Sequence, residues 1–164
     1  MNTPAAKDLE HMRHAIRLSD DAQRRGNPPF GAVLVAPDGA ILATGENSIV
    51  TTNDLTAHAE MNALRAACGR FSAQQIAAAT MYASGEPCPM CSGAMMRLGM
   101  RRVLFAMPTG KASPYMPKTA GAMPGTVNCR DVLALAPQKI EVLGPMLEDE
   151  AKVAFEAFAR RSAG

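Results

Sequence analysis

Tryptophan is absent from this chain, and the other aromatics are few: two tyrosines and five phenylalanines in 164 residues. Twelve methionines supply part of the bulk, and we read them as packing residues, because methionine is flexible and fills irregular gaps. A charge excess is missing too. The formal net charge is +2, whereas a dedicated nucleic-acid-binding domain carries a clear basic surplus, so composition favours a small substrate. No apolar run approaches the ~20 residues that span a bilayer. The opening residues Met1 to Asp8 lack an apolar core followed by a cleavage site, so the expectation is a cytoplasmic protein with no membrane partner. Neither an internal repeat nor a low-complexity tract is visible.

What is present is an ordinary globular balance, 48% hydrophobic and 20% charged residues. A chain of this length fits one domain and buries enough apolar surface to fold by itself. Thr3-Pro4 places a capping hydroxyl before a proline suited to the first helical position, and Leu9, Met12, Ile16 and Ser19 follow near helical spacing, predicting a helix that ends near Gly26-Asn27. Residues 32–35 and 41–44 flank Pro37-Asp38-Gly39, a hairpin signal that predicts two antiparallel strands. Met61, Leu64 and Ala67 predict a second helix over about 57–68, stopped by Gly69. A short strand follows over 80–83. Pro89 opens another helix with Met90, Ala94 and Leu98 on one face, and residues 102–106 form a strand. Pro108, Gly110, Pro114, Pro117, Gly121, Pro124 and Gly125 leave no regular element expected over 107–127, and a loop of that length is often a lid or binding loop. A last strand over 139–143 precedes a helix over 147–161 carrying Val153 and Phe158. The order αββαβαβ(β)α implies an α/β fold, a mixed sheet with helices on its faces.

The cysteines fall at 68, 88, 91 and 129. In a reducing compartment a close pair such as Cys88/Cys91 is metal-binding or redox-active more often than a structural disulfide, and Cys68 and Cys129 read as buried thiols. With Pro89 as first helical residue, Cys88 sits at the cap and Cys91 one turn on, on the same side. A helix N-terminus lowers a thiol pKa toward the thiolate that a metal needs. His58 begins the preceding helix, so two helix starts converge on one ion. One neutral imidazole and two thiolates would balance Zn²⁺ and leave a fourth tetrahedral position for water, as catalytic zinc sites do. Glu60 is then the natural proton carrier. Asn47, at a strand end, reads equally well as a turn residue or as a ligand contact.

Taken together, Pro29-Phe30-Gly31-Ala32, Asn47, His58-Ala59-Glu60 and Glu86-Pro87-Cys88-Pro89-Met90-Cys91 resemble the cytidine deaminase-like zinc deaminase superfamily. The likeness covers residues 28–106 and is greatest to the bacterial guanine deaminases and tRNA adenosine deaminases. It implies one CMP/dCMP-type zinc deaminase domain over 1–164, a three-layer α-β-α sandwich around a central five-stranded mixed sheet, and a homodimer. It also implies hydrolytic loss of ammonia from an amidine carbon of guanine or a related aminated base. Carried over by motif, His58, Cys88 and Cys91 bind zinc, Glu60 is catalytic, Asn47 bonds the base edge, the Ala59 backbone N–H meets its carbonyl, and Phe30 packs on the ring. After Phe105 the sequence departs from both groups, and there Tyr115 offers an aromatic able to cover a planar base. Two other readings stay open: a tRNA adenosine deaminase using Arg97, Arg101, Arg102, Arg160 and Arg161 on phosphates, and a non-catalytic structural zinc module with Cys68 or Cys129 as a fourth ligand.

Overall fold

The structure is a computed structural model that describes residues 4–117 and 127–162. Helix α1 (Ala6–Arg24) begins where Asp8 accepts the free Ala5 N–H at 2.8 Å, and it ends before Gly26, whose φ of +86° breaks the helical path. Thr3, the predicted cap, lies outside the described residues. The hairpin follows as predicted, β1 (Gly31–Val35) and β2 (Ile41–Glu46), then a short α2 (Ile49–Thr52). Next come α3 (Ala59–Cys68), α4 (Ala73–Ala78) and β3 (Thr80–Gly85), then α5 (Pro89–Arg97) and β4 (Arg102–Met107). The chain closes with α6 (Thr109–Ala112), a 3-10 turn (Ser113–Tyr115), α7 (Cys129–Leu133), β5 (Glu141–Leu143) and α8 (Glu148–Ser162).

The five strands form one sheet in the order β2-β1-β3-β4-β5. β1 is antiparallel to both its neighbours, while β3, β4 and β5 run parallel, so the sheet is mixed. β1 is buried along its whole length, and β3 and β4 from their second residue on, as strands covered on both faces must be. Alternate side chains enter opposite layers. Leu34, Met81, Val103 and Phe105 pack with Ala63 of α3 and Met95 of α5. Val33, Tyr82, Leu104 and Ala106 pack with Met12 and Ala15 of α1 and Phe155 of α8 on the other side. The result is the α-β-α sandwich expected. No helix among the described residues is long and apolar enough to cross a membrane.

Several expectations need correction. Residues 107–127 were expected to hold no regular element, yet β4 runs to Met107 and α6 and the 3-10 turn follow at once. Pro108 and Pro114 there start turns of helix rather than prevent them, because proline supports the first helical turn. Residues 118–126 of that stretch lie outside the described residues. α4 was missed although Ser72 and Gln75 make a reciprocal capping box, a signal present in the sequence. Val153 is 60% exposed, and α8 buries Ala151, Ala154, Phe155 and Phe158 instead. Cys68 is exposed where a buried thiol was expected, and Cys129 is buried.

Candidate active site

The site lies where α3 and α5 begin. Local rules set both starts: Pro89 occupies the first turn of α5 with Cys88 at its cap position, and His58 holds extended backbone at the cap of α3. Contact between α3 and the sheet is close because Gly45 of β2 has no side chain. A Cβ there would run into the Ala59 carbonyl and come within 2.5 Å of the Ala63 nitrogen. Asn62, one turn into α3, donates through Nδ2 to the Glu46 carbonyl at 2.8 Å and to Ser48 Oγ at 3.0 Å, which ties the helix to the end of β2.

His58 Nδ1 lies 3.6 Å from Cys88 Sγ and 3.7 Å from Cys91 Sγ, and the two sulfurs are 3.6 Å apart. Zinc–sulfur bonds of about 2.3 Å and zinc–nitrogen bonds of about 2.0–2.1 Å make tetrahedral edges of about 3.6–3.8 Å. The three donors therefore stand at the spacing of three corners of a zinc tetrahedron, and they are the set positioned to hold a metal among the described residues. Neither Cys68 nor Cys129 belongs to it.

Electrostatics agree with the donor chemistry. Cys88 is held down at about 4, chiefly by hydrogen bonding to Cys91 and then to His58. Cys91 is pushed up by its hydrogen bond with Cys88, by burial and by the Glu60 charge. His58 is raised by its contact with the Cys88 sulfur. Coordination to a cation would take the proton from a thiol outright. Glu60, one residue inside α3, is 5% exposed and places Oε2 3.5 Å from Cys91 Sγ. Burial first, and the Cys88 charge second, raise its carboxyl above the usual carboxylate range.

Beside the cluster is a cavity of about 180 Å³. His58, Glu60, Cys88 and Phe30 line one part of it. Glu86, Thr109, Ala112, Ser113 and Met116 line the rest. Phe30 stands edge-on to Phe155 with ring centroids 5.3 Å apart, and Gly85 leaves the room its ring needs, since a Cβ there would approach it to 2.5 Å. Cys91 lies beneath, fully buried. Asn47 is 3% exposed and does not line this cavity; its N–H donates to the Phe30 carbonyl at 2.9 Å and its Oδ1 accepts the Ile49 N–H at 3.2 Å. Ala59 is buried and Tyr115 half-buried, and neither lines the cavity. The Tyr115 ring packs toward Phe155 at 6.2 Å, while Ser113 and Met116 of the same turn reach the cavity. The 107–127 segment, expected to be a lid or binding loop, reaches the cavity through Thr109, Ala112, Ser113 and Met116, whereas Glu86 was not singled out beyond its place beside Pro87-Cys88.

A three-layer fold with a His-Cys-Cys metal set and a buried glutamate at the same helix start defines a zinc deaminase, a hydrolase acting on C–N bonds in cyclic amidines. Residues 5–107 match the cytidine and deoxycytidylate deaminase zinc-binding region, and the chain belongs to that family. It is 35% identical over 152 residues to a probable cytosine deaminase of Schizosaccharomyces pombe, covering 93% of this chain and 92% of that one. It is 32% identical over 154 residues to a tRNA-specific adenosine deaminase of Bacillus subtilis, covering 94% and 89%. Among solved structures, guanine deaminase from Bacillus subtilis superposes with a TM-score of 0.61 at 39% identity, covering 70% of this chain and 69% of that one.

Proposed function

We propose that the chain hydrolytically deaminates a free nucleobase, guanine or a related aminated purine or pyrimidine, with His58, Cys88 and Cys91 holding zinc and Glu60 moving the protons. The observation that carries this reading is the cavity. As bounded by the described residues it holds about 180 Å³, below the about 300–1,000 Å³ of clefts for drug-sized ligands, which suits one small heterocycle. Its walls are apolar where a flat ring would lie, at Phe30, Ala112 and Met116, and polar at Glu60 and His58.

Bound zinc supplies Lewis acidity that makes water a nucleophile near neutral pH. The chain's own groups do the rest. Glu60, whose carboxyl is raised by burial, takes a proton from the attacking water and delivers it to the departing amine, as a general base and then acid. Phe30 supports the ring, and its edge-on contact with Phe155 holds it there. Asn47 stays in the proposed set, as an Nδ2 donor, through the family motif alone: it does not line the cavity, and its Oδ1 is engaged by Ile49. The Ala59 N–H, at the first position of α3, is a second donor in the proposed set. The active unit proposed is a single domain acting as a homodimer in the cytoplasm.

A tRNA adenosine substrate is the second reading, favoured by the similarity to the Bacillus subtilis tRNA-specific enzyme over most of both chains. The arginines weigh against it. Arg102 is bound by Asp8 and Glu141, and Arg161 donates to the Gln23 carbonyl. Arg97 ends a nine-residue helix that begins beside Cys88, so it stands about 9 Å along the axis from Cys91, the nearer ligand on that helix. Ammonia release from guanine, cytosine, adenine, their nucleosides and a tRNA anticodon stem tests both. Turnover of a base, with affinity that varies little with salt, supports the first reading. Turnover of the RNA alone, with affinity falling steeply as salt rises, replaces it with the second.

A further inference from the structure

Glu86 faces the proposed substrate cavity but has no part in the chemistry above. Its backbone N–H donates to the Met107 carbonyl at 2.8 Å, which holds the residue beside the end of β4. Its carboxylate then accepts two backbone N–H groups from distant points of the chain. Oε2 takes that of Thr109, the first residue of α6, at 3.0 Å, and Oε1 takes that of Cys129, the first residue of α7, at 3.1 Å. Burial first, and the Glu86 charge second, push the Cys129 thiol up to about 12. The chain therefore leaves β4 and comes back at α7 through one side chain, two residues before Cys88.

Thr109, Ala112, Ser113 and Met116 make the cavity wall facing the metal set. That wall is a four-residue helix followed by a three-residue 3-10 turn. Helical segments this short do not hold themselves, because nucleation costs more than so few hydrogen bonds return. Where the wall stands must be decided by its tertiary contacts: the Glu86 carboxylate holds its start, and Lys111 to Glu148, Ala112 in the core and Tyr115 toward Phe155 hold it further on.

We propose that Glu86 is a positioning residue for substrate choice: it sets the distance between the Thr109–Met116 wall and the metal set, and so the width of the slot that receives the base. The proposal rests on the reading of this cavity as the substrate site. The carboxylate does not touch the reacting atoms; it acts through backbone N–H groups, where a carboxylate accepts twice and an amide accepts through one oxygen alone.

Two variants isolate the effect. Glu86→Gln keeps the shape and loses one acceptor. Thr109→Pro removes the N–H that Glu86 accepts while keeping a residue suited to a first helical position, with Thr109→Ala, which keeps the N–H, as its control for the exchange measurement. The measurements are zinc per chain, kcat and KM on the two best bases, and hydrogen exchange of amides 110–116. Losing a hydrogen bond to a charged group predicts about a tenfold or larger effect. Glu86→Gln and Thr109→Pro are expected to raise KM about tenfold with kcat changed less than about threefold, and to shift the ratio of kcat/KM between the two bases. Zinc content stays at the wild-type level, and exchange at 110–116 speeds up about tenfold while β3 and β4 are unchanged. A fall in kcat at constant KM, loss of zinc, or an equal loss on both bases would overturn the assignment. So would unchanged exchange. If the wild-type protein deaminates no base at all, the functional reading fails, and the exchange result still decides whether Glu86 holds the wall.

Discussion

Glu60 Oε2 lies 3.5 Å from Cys91 Sγ in the buried layer between α3 and α5, so the proposed proton carrier and a proposed metal ligand share one desolvated contact. That contact makes the two roles separable by mutation. Glu60→Gln keeps the side-chain shape and the neighbours of the sulfur, so it is expected to retain zinc and melting temperature while kcat falls by about 10²–10⁴, the usual loss of a general acid–base. Metal analysis alongside ammonia release checks it, and loss of zinc together with activity would make Glu60 a ligand.

The metal should also hold the fold together. His58, Cys88 and Cys91 come from two helices far apart in sequence, and ligand bound only by the native state stabilises it in proportion to the logarithm of its concentration. Chelation is expected to lower the melting temperature of the wild-type protein, and added zinc to restore it. Cys88→Ala is expected to bind little zinc and to show a melting temperature indifferent to chelator. A Cys88→Ala protein with full zinc would remove Cys88 from the set.

At the far end of the sheet, the Asp8 carboxylate accepts from Tyr82 Oη at 2.6 Å and from Arg102 at 2.8 and 3.0 Å, joining α1 to β3 and β4. Arg102, with its hydrogen bonds first and Tyr82 after, holds this carboxyl well below its usual 3.8. A depressed folded pKa means that the unfolded chain takes up the proton first as pH falls. The stabilisation is complete above the usual carboxylate value and disappears as pH drops through the lower folded one. Asp8→Asn is expected to cost about 1.5–3 kcal/mol at pH 7, the range for hydrogen bonds to charged groups, and less at pH 2. Denaturant titrations at both pH values should therefore converge for the two proteins; curves that stay parallel would refute this account.

Phe155 is fully buried and touches both Phe30 and Tyr115. Phe155→Ala is expected to cost about 3–5 kcal/mol through the cavity it leaves. It should raise KM through a loosened Phe30 while zinc stays bound. A KM unchanged in a protein that still folds would separate Phe30 from this support.

Much of the site was legible because its parts obey local rules. Pro89 sets a helix start, Cys88 and Cys91 then share a side one turn apart, and His58 and Glu60 begin another helix. The hairpin turn and the buried strands were legible for the same reason, since turn chemistry and hydrophobic period act over a few residues. The capping boxes at Ser72 and Asn128 were equally local and were overlooked among turn-forming residues.

The amino-acid sequence by itself determined the kind of ion this protein is built for, because donor type and helix-start position follow from residues within one turn of each other. Tertiary structure alone decided the rest. It brought His58 within 3.6–3.7 Å of both sulfurs, across some thirty residues of chain. It set Tyr115 toward Phe155 and turned Ser113 and Met116 to the cavity, and it chose Cys129 over Cys68 for burial. Above all it joined Glu86 to Thr109 and Cys129 through backbone N–H groups. Every residue but proline carries such a group, so no pattern of side chains marks in advance which ones a distant carboxylate will find.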